Sequence, residues 1–321
     1  MSHDSSRSAA PPASDVTPER LHELLTLTSR TFALNIPLLE EPTRCEVTAA
    51  YLLFRVADTL EDATEWPRAR KLLELERFGA LVAGTAAEDA ARLAEDWVRT
   101  PPCRHAGYLE LLGELPFVMR VTASLAPEPQ RLIRAHTLRT VEGMSSFLSR
   151  QDGGEVRLGG VAELREYCYA VAGIVGEMLT ELFLLERPLL EPAAPTLRRL
   201  APIFGEALQL VNILKDAAGD SHEGRHFLPS GPIVRDVFAM AHDDLDHAAR
   251  YVACLARAAA PRGMVAFTAL PLLLAQATIE RVETRGAGSK ITRSEVRRLV
   301  ERLDEALARG TVPQLFERAR N

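Results

Sequence analysis

The sequence is poor in aromatic residues and in cysteine, and it lacks long stretches in which apolar and polar residues alternate. Aromatic residues make up 6% of the 321 residues. Val, Ile and Thr seldom alternate with polar residues, so an extended β-sheet is not expected. Because Ala, Leu, Arg and Glu are abundant and all favour helices, the predicted fold class is all-α.

The four cysteines lie far apart in the chain, at Cys45, Cys103, Cys168 and Cys254, and none forms a CxxC pair. Scattered thiols argue against a disulfide framework and against cysteine-bound metal, and they fit a reducing cytoplasm. The formal net charge is −6, and no basic stripe is interleaved with aromatic residues. A nucleic-acid partner is therefore not expected.

The N-terminal segment is polar and rich in serine and proline, so residues 1–17 are interpreted as a disordered tail. This segment lacks the apolar run of a signal peptide. No stretch is judged long and apolar enough to cross a bilayer, and a cytoplasmic location is expected.

Ordered structure is predicted to begin at Thr17, because threonine is a good helix N-cap and Pro18 suits the first helical position. Proline and glycine then divide the chain into roughly ten helices, with one predicted break running from Gly219 to Pro232. No internal repeat or change in composition marks a boundary, so residues 18–321 are predicted to form a single domain.

Two segments, residues 47–57 and 167–185, are too apolar for surface helices and are predicted to lie in the centre of the fold. The second contains Gly173 and Gly176. Glycine inside a helix costs about 1 kcal/mol relative to alanine, so both positions indicate close approach by a neighbour or ligand.

An acidic cluster follows the first apolar segment, where Asp58 and Asp62 are one helical turn apart and Tyr51 and Arg55 extend the same face. Like charges at this spacing repel, and a divalent cation with oxygen ligands would remove the conflict. The alternative, which is favoured for this cluster alone, is a helix end whose acids are solvated.

A second cluster places Asn212, Asp216 and Asp220 at successive four-residue intervals, with Gln209 on the same face of an otherwise apolar helix. Mg²⁺ is usually held by a few carboxylates together with water and substrate phosphates. Two such faces across a cavity would clamp a diphosphate through metal ions, and Arg55 and Lys215 would contact phosphate oxygens.

A competing motif is the HExxH pattern from His222 to His226, which resembles that of zinc proteases. The motif requires a helix that carries both histidines on one face. Gly219 and Gly224 lie in or beside it and Pro229 follows, so the segment is interpreted as a loop.

The chain resembles the squalene/phytoene synthase family, and the resemblance covers nearly everything after the tail. The order and spacing of several blocks carry it: residues 29–32 (SRTF), 51–62 (YLLFRVADTLED), 142–144 (EGM), 167–173 (YCYAVAG), 209–220 (QLVNILKDAAGD), 224–229 (GRHFLP) and 289–291 (SKI). The chain departs from the family's pattern at Ser145 to Phe147 and at Gly219, where acids are often found.

The resemblance implies a helical bundle with a central cavity, a single isoprenoid-synthase domain and specific roles for its residues. Catalytic roles fall to Asp58, Asp62, Asp216, Asp220 and Tyr167. Metal ligands are Asp58, Glu61, Asp62, Asn212, Asp216 and Asp220. Substrate-binding residues are Ser29, Arg30, Phe32, Tyr51, Arg55, Val171, Val175, Gln209, Asn212, Lys215 and Arg225. Lys290 and Arg293 either bind a cofactor phosphate or are ordinary surface charges.

The implied activity is Mg²⁺-dependent head-to-head coupling of two prenyl diphosphates, most similar to squalene synthases, which use two farnesyl diphosphates and NADPH. Phytoene or dehydrosqualene synthesis without reduction stays an alternative. More distant alternatives are a head-to-tail prenyltransferase, a terpene cyclase, the HExxH protease and a catalytically silent helical scaffold. A monomer is favoured, and peripheral membrane contact stays open because the substrates and products are apolar.

Overall fold

The computed structural model describes residues 17–87, 89–150, 156–222, 225–228 and 233–317. In this part of the chain the all-α fold class is confirmed. The α-helices are α1 Pro18–Thr28, α2 Arg30–Asn35, α3 Thr43–Glu61, α4 Arg68–Ala83, α5 Ala90–Arg99, α6 Ala106–Gly113, α7 Leu115–Ser124, α8 Pro127–Arg150, α9 Val161–Cys168, α10 Ile174–Glu186, α11 Ala194–His222, α12 Ile233–Arg257, α13 Arg262–Arg285 and α14 Arg293–Arg309.

These helices outnumber the predicted ten because the chain also bends at positions where the sequence analysis placed no break. Ser29 is the C-cap of α1 and the N-cap of α2, and its hydroxyl accepts from the Phe32 N–H at 2.9 Å. Glu114 likewise ends α6 and precedes α7. The predicted start is confirmed, since Thr17 caps α1. The prediction of a disordered tail covers residues 1–17, of which residues 1–16 lie outside the described residues.

Short β-structure is limited, in the described residues, to one parallel pair that the sequence did not predict. Val156–Arg157 (β1) pairs with Arg225–His226 (β2). The predicted break at Gly219 was wrong, because α11 continues to His222. A glycine costs a helix only about 1 kcal/mol, and the packed turns that precede it outweigh that cost.

Helix α3 is the central helix, as its apolar sequence predicted. Its side chains at Ala50, Leu53 and Leu60 are fully buried, and it packs against α1, α4, α7 and α8. A helix that is apolar on nearly all sides gains most by being surrounded in this way. The packing fixes the position of the polar residues at the end of α3.

The second apolar segment is a continuous helical stretch in which a π-helical turn, Tyr169–Gly173, joins α9 to α10. It packs very closely against α11. A Cβ atom on Gly176 would lie 2.1 Å from the Ala201 carbonyl oxygen, and one on Gly205 would lie 2.0 Å from the Ala172 carbonyl oxygen. The predicted close approach at Gly173 and Gly176 is confirmed. The atoms that approach them belong to the protein itself, to α11 and, at Gly173, also to the Tyr169 ring.

Three ionic side chains join α9, α11 and α12 beside this contact. Arg165 donates to Glu206 at 2.8 Å and to both carboxylate oxygens of Asp244 at 3.1 and 3.2 Å. Glu206 and Asp244 are both buried. Burial raises the pKa of Glu206 to about 7, although Arg165 opposes the shift. We call these residues the Arg165 bracket.

Two helical stretches, Val161–Glu186 and Arg262–Arg285, are long and apolar enough to cross a membrane by length and composition alone. The expectation that no stretch reaches this limit was therefore wrong. In the most apolar 18-residue window of each stretch, 56% and 72% of the window, respectively, is buried within the fold. Core helices pass the same test as membrane spans, so the finding is weak support for a span.

Candidate active site

The first acidic cluster lies at the C-terminal end of α3. Asp58 and Glu61 are in its last turn, and Asp62 is its C-cap. A helix C-terminus carries partial negative charge, so carboxylates there repel the helix end and one another. Burial, with a further contribution from Asp62, raises the pKa of Asp58 to about 6 against the opposing charge of Arg55. Such a cluster favours a bound cation.

Arg55 lies beside this cluster and between two tyrosine rings. Its Nη1 is 3.4 Å from Asp58 Oδ2, and its Nε donates to the Tyr51 hydroxyl at 3.3 Å. Its guanidinium carbon lies 5.6 Å from the ring centroid of Tyr51 and 5.5 Å from that of Tyr108. Aromatic faces attract cations, so this positive charge has a defined position next to Asp58.

The second acidic cluster lies on α11, which is held in the core by buried apolar residues on its other faces. Asn212 and Asp216 are exposed. Lys215 Nζ lies 3.2 Å from Asn212 Oδ1 and 3.2 Å from Asp216 Oδ2. Asp220 belongs to the same helix, but its side chain lies outside the described residues. The buried faces are formed by Ala207, Leu210, Val211, Ile213 and Leu214.

Both clusters line one pocket of about 720 Å³, which we call the polar mouth. Carboxylates from α3 and from α11 therefore face a common space, together with basic residues. Carboxylate and amide oxygens are the ligands that Mg²⁺ prefers, so the chemistry of this donor set fits that ion. Among the residues of the polar mouth are Arg55, Asp58, Glu61, Asp62, Tyr108, Tyr167, Gln209, Asn212, Lys215, Asp216 and Lys290.

An apolar cavity of about 220 Å³, here the apolar chamber, adjoins the polar mouth. The two spaces have side chains in common, namely Arg55, Asp58, Val171, Gln209 and Asn212. A ligand with an anionic head and a hydrocarbon tail would find both environments in one continuous site. Apolar walls of the chamber include Phe32, Ile36, Phe54, Val175, Phe183 and Phe204.

Tyr167 is held at the polar mouth by two other aromatic rings. It stacks on Phe227 with ring centroids 4.8 Å apart and meets the edge of Phe147 at 5.3 Å. Burial, with smaller contributions from Glu61 and Asp62, raises the pKa of Tyr167 well above its usual value. The phenol is therefore neutral at physiological pH, so it is able to donate a hydrogen bond but does not serve as a base.

A third pocket, of about 630 Å³, opens between α2, α13 and α14; we call it the basic groove. All of its charged lining residues among the described residues are basic: Arg30, Arg55, Lys215, Lys290 and Arg293. The Gly288 N–H donates to the Lys215 carbonyl at 2.7 Å, and this bond attaches the turn before Lys290 to α11. Four residues line both the groove and the polar mouth: Arg55, Asn212, Lys215 and Lys290.

The three pockets bring together the predicted site residues whose side chains are described. Ser29, Arg30 and Arg293 line the basic groove, Tyr51 and Val175 line the apolar chamber, and Phe32 lines both. The others line the polar mouth. Asp220 lies in α11 and Arg225 in β2, but their side chains lie outside the described residues, and their predicted roles stay predictions.

Sequence reasoning missed Tyr108, Phe147 and Phe227. Phe147 lies three residues after Met144 and Phe227 lies in the recognised 224–229 block, so a motif-based reading could have included both. Tyr108 lies on α6 in no recognised block, and only the fold brings it to Arg55. Long-range contacts of this kind carry no local sequence signal.

Two other groups of possible metal ligands do not form sites of this kind. His222 ends α11 and His226 lies in β2, so the HExxH histidines are not one turn apart on a single helix as a zinc protease requires. Asp243, Asp244 and His247 lie close together on α12, but Asp244 is buried in the Arg165 bracket. Its carboxylate is already paired with a guanidinium.

The sequence model of the squalene/phytoene synthase family matches residues 25–231. The squalene synthase of Candida albicans is 30% identical over 213 residues, which are 65% of this chain and 45% of that protein. The squalene synthase of Schizosaccharomyces pombe is 30% identical over 213 residues, or 65% and 44% of the two chains. The matched portion thus spans less than half the length of these relatives.

Solved structures show the same architecture. TcSQS in complex with a ligand has a TM-score of 0.71 and 26% identity, covering 94% of this chain and 93% of that chain. A dehydrosqualene synthase has a TM-score of 0.60 at 18% identity, which supports the fold alone. Together with the family match over both acidic clusters, these similarities show that the chain belongs to the squalene/phytoene synthase family.

Proposed function

We propose that the chain catalyses the Mg²⁺-dependent head-to-head condensation of two prenyl diphosphates. The preferred substrates are two farnesyl diphosphates, and the products are presqualene diphosphate, then squalene, with release of diphosphate. One observation supports this most strongly: an apolar chamber adjoins a polar mouth that carries carboxylates on two helices and fixed cations. That combination suits a substrate with a diphosphate head and a long hydrocarbon tail.

The metal site that we propose comprises Asp58, Glu61 and Asp62 on α3 and Asn212, Asp216 and Asp220 on α11. Bound Mg²⁺ would supply Lewis-acid neutralisation of the departing diphosphate. Arg55 and Lys215 bind phosphate oxygens directly, because both lie beside the carboxylates and carry fixed positive charge. The proposed catalytic residues on these helices are Asp58, Asp62, Asp216 and Asp220.

Tyr167 and the walls of the apolar chamber handle the carbocation that forms as the first diphosphate leaves. The neutral phenol of Tyr167 donates a hydrogen bond to an anionic oxygen, and its ring face stabilises nearby positive charge. Phe32, Val171 and Val175 exclude water that would quench the cation. The double bond of the second substrate then captures it, and a proton lost from that substrate to the released diphosphate closes the cyclopropane ring.

Reduction to squalene by NADPH is the finer part of the proposal. The basic groove supports it, because Lys290 and Arg293 present positive charge to a space that adjoins the polar mouth. Phosphates of a dinucleotide suit such a lining. Hydride delivered from this groove would reach the cavity in which presqualene diphosphate loses its remaining diphosphate.

Product identification tests the assignment. The purified chain is incubated with Mg²⁺ and either farnesyl or geranylgeranyl diphosphate, with and without NADPH. We expect presqualene diphosphate from farnesyl diphosphate alone and squalene when NADPH is added. Formation of phytoene from geranylgeranyl diphosphate would contradict the assignment of farnesyl diphosphate as substrate. Formation of dehydrosqualene in the presence of NADPH would contradict the proposed reduction. Absence of any coupled product would overturn the activity.

A further inference from the structure

Tyr108 contacts the active site from a helix that contributes no other residue to the polar mouth. It lies on α6, whereas its neighbour Arg55 lies on α3. Tyr51, the other ring beside Arg55, is one turn earlier on α3 and also accepts a hydrogen bond from the guanidinium. The cation is thus held from its own helix by Tyr51 and from a separate helix by Tyr108.

The fold fixes the position of Tyr108 tightly. His105 caps α6, with its Nδ1 accepting from the Tyr108 N–H at 3.2 Å, and its ring lies 4.0 Å from the Tyr108 ring. Gly107 is buried against α1, where an added Cβ atom would lie 2.4 Å from the Leu27 carbonyl oxygen. The start of α6 therefore rests directly on the backbone of α1, and the ring of Tyr108 has little freedom to move.

The position of Arg55 matters because a carboxylate competes for it. Asp58 Oδ2 is 3.4 Å away, and an arginine that turned fully toward Asp58 would neutralise a metal ligand instead of meeting a phosphate. Arginine has a long side chain with many rotamers, so a second aromatic face removes alternatives that Tyr51 alone leaves open. The ring, more than its hydroxyl, supplies this restraint.

We propose that Tyr108 is a positioning residue that orients the Arg55 guanidinium toward the substrate diphosphate. The inference rests on the proposed function for the identity of the substrate, but the binding of diphosphate itself can be tested separately. Tyr108 acts through Arg55, so its removal weakens the site only while Arg55 is present. The contribution comes from the aromatic face, so a phenylalanine substituted for Tyr108 should preserve it.

The test measures binding of inorganic diphosphate with Mg²⁺ by calorimetry, for the full chain and for Tyr108→Leu, Tyr108→Phe, Arg55→Gln and the Tyr108→Leu/Arg55→Gln double variant. We expect Tyr108→Leu to weaken binding by about five- to thirty-fold. Tyr108→Phe should stay within about twofold of the parent chain. In the Arg55→Gln background the leucine substitution should cause no further loss, which a general structural defect would not reproduce.

Unchanged binding in Tyr108→Leu would overturn the proposal, and so would an undiminished loss in the Arg55→Gln background. Equal losses of diphosphate affinity in Tyr108→Phe and Tyr108→Leu would show that the hydroxyl, and not the ring, matters, and would contradict the stated role. If Tyr108→Leu lowers the melting temperature, Tyr108→Met is compared with Tyr108→Phe in the same cycle. Failure of the proposed function appears separately, as absence of coupled product from the parent chain that still binds diphosphate.

Discussion

Helix α11 meets its neighbours in two different ways: across an open pocket at the polar mouth, and in close backbone contact at the wall of the apolar chamber. At the mouth, Asp58 of α3 and Asp216 of α11 line one wide pocket. At the wall of the chamber, Gly176 and Gly205 bring α10 and the π-helical turn before it into backbone contact with α11. The mouth leaves space between the two helices for ligands, whereas the backbone contact leaves none. Changes at the mouth should therefore affect chemistry, and changes at the contact should affect stability.

The largest effect is expected from removing one charge at the mouth. Asp58→Asn or Asp216→Asn should lower kcat by at least about 10²–10³-fold, because each removes a proposed metal ligand where negative charge leaves the substrate. Helicity measured by circular dichroism should be unchanged. The matched control is Asp304→Asn, which changes an exposed acid of α14 that lies 3.9 Å from Arg262 of α13, and it should keep parental turnover. Normal turnover in either active-site variant would contradict the site assignment.

A methyl group at the helix contact should destabilise the fold. Gly205→Ala places a Cβ atom 2.0 Å from the Ala172 carbonyl oxygen, and forcing the helices apart should lower the free energy of unfolding by about 1–3 kcal/mol or more. Urea denaturation measures the change. Gly113→Ala is the control, since its Cβ would meet Val98 at an ordinary 3.6 Å, and its effect should stay within about 1 kcal/mol. Equal stability of the two variants would contradict the claim that the contact at Gly205 is unusually tight.

The Arg165 bracket should make the contact sensitive to pH. Burial first, then the charges of Asp244 and Glu177, raise the pKa of Glu206 from 4.5 to about 7, and Arg165 opposes them. Protonation of this carboxyl is therefore favoured in the folded state. Its stabilising contribution is fully present below about pH 4.5 and is lost as pH rises through 7.

Glu206→Gln should remove that dependence. Relative to this variant, the free energy of unfolding of the parent chain should fall by about 1–3 kcal/mol between pH 4.5 and 7.5. Urea unfolding at several pH values measures the difference. Parallel pH profiles for the two proteins would show that Glu206 keeps an ordinary affinity for protons in the folded state.

The smallest effect is expected in the basic groove. Arg293→Gln removes one exposed charge, and such charges are worth less than about 1 kcal/mol each. The KM for NADPH should rise by up to about fivefold, while the KM for farnesyl diphosphate should not change. Steady-state kinetics with each substrate varied separately will distinguish the two. A change in the farnesyl diphosphate KM alone would assign Arg293 to the prenyl substrate.

The sequence was informative where a property repeats along one helix. The apolar residues around Leu53 predicted a central α3, and the four-residue spacing of Asn212 and Asp216 predicted a polar face on α11. The pairing of Tyr108 with Arg55, and of Arg165 with Glu206 and Asp244, could not be predicted in this way. These contacts join residues far apart in the chain, and each depends on how whole helices pack.

Local geometry within helices was also partly hidden. The π-helical turn at Tyr169–Gly173 and the passage of α11 through Gly219 both oppose simple propensity. At Gly219 the packing of a long helix outweighs a residue preference of about 1 kcal/mol. Proline and glycine therefore predicted most of the helix boundaries, but they did not predict these two features.

Diphosphate release from farnesyl diphosphate tests the central claim most directly, when it is measured together with the amount of coupled product. With Mg²⁺ and NADPH, the account predicts two diphosphates for each squalene formed, one for each presqualene diphosphate when NADPH is omitted, and none when the metal is chelated. Release of diphosphate without a coupled C30 product, or at the same rate in the presence of a chelator, would contradict it.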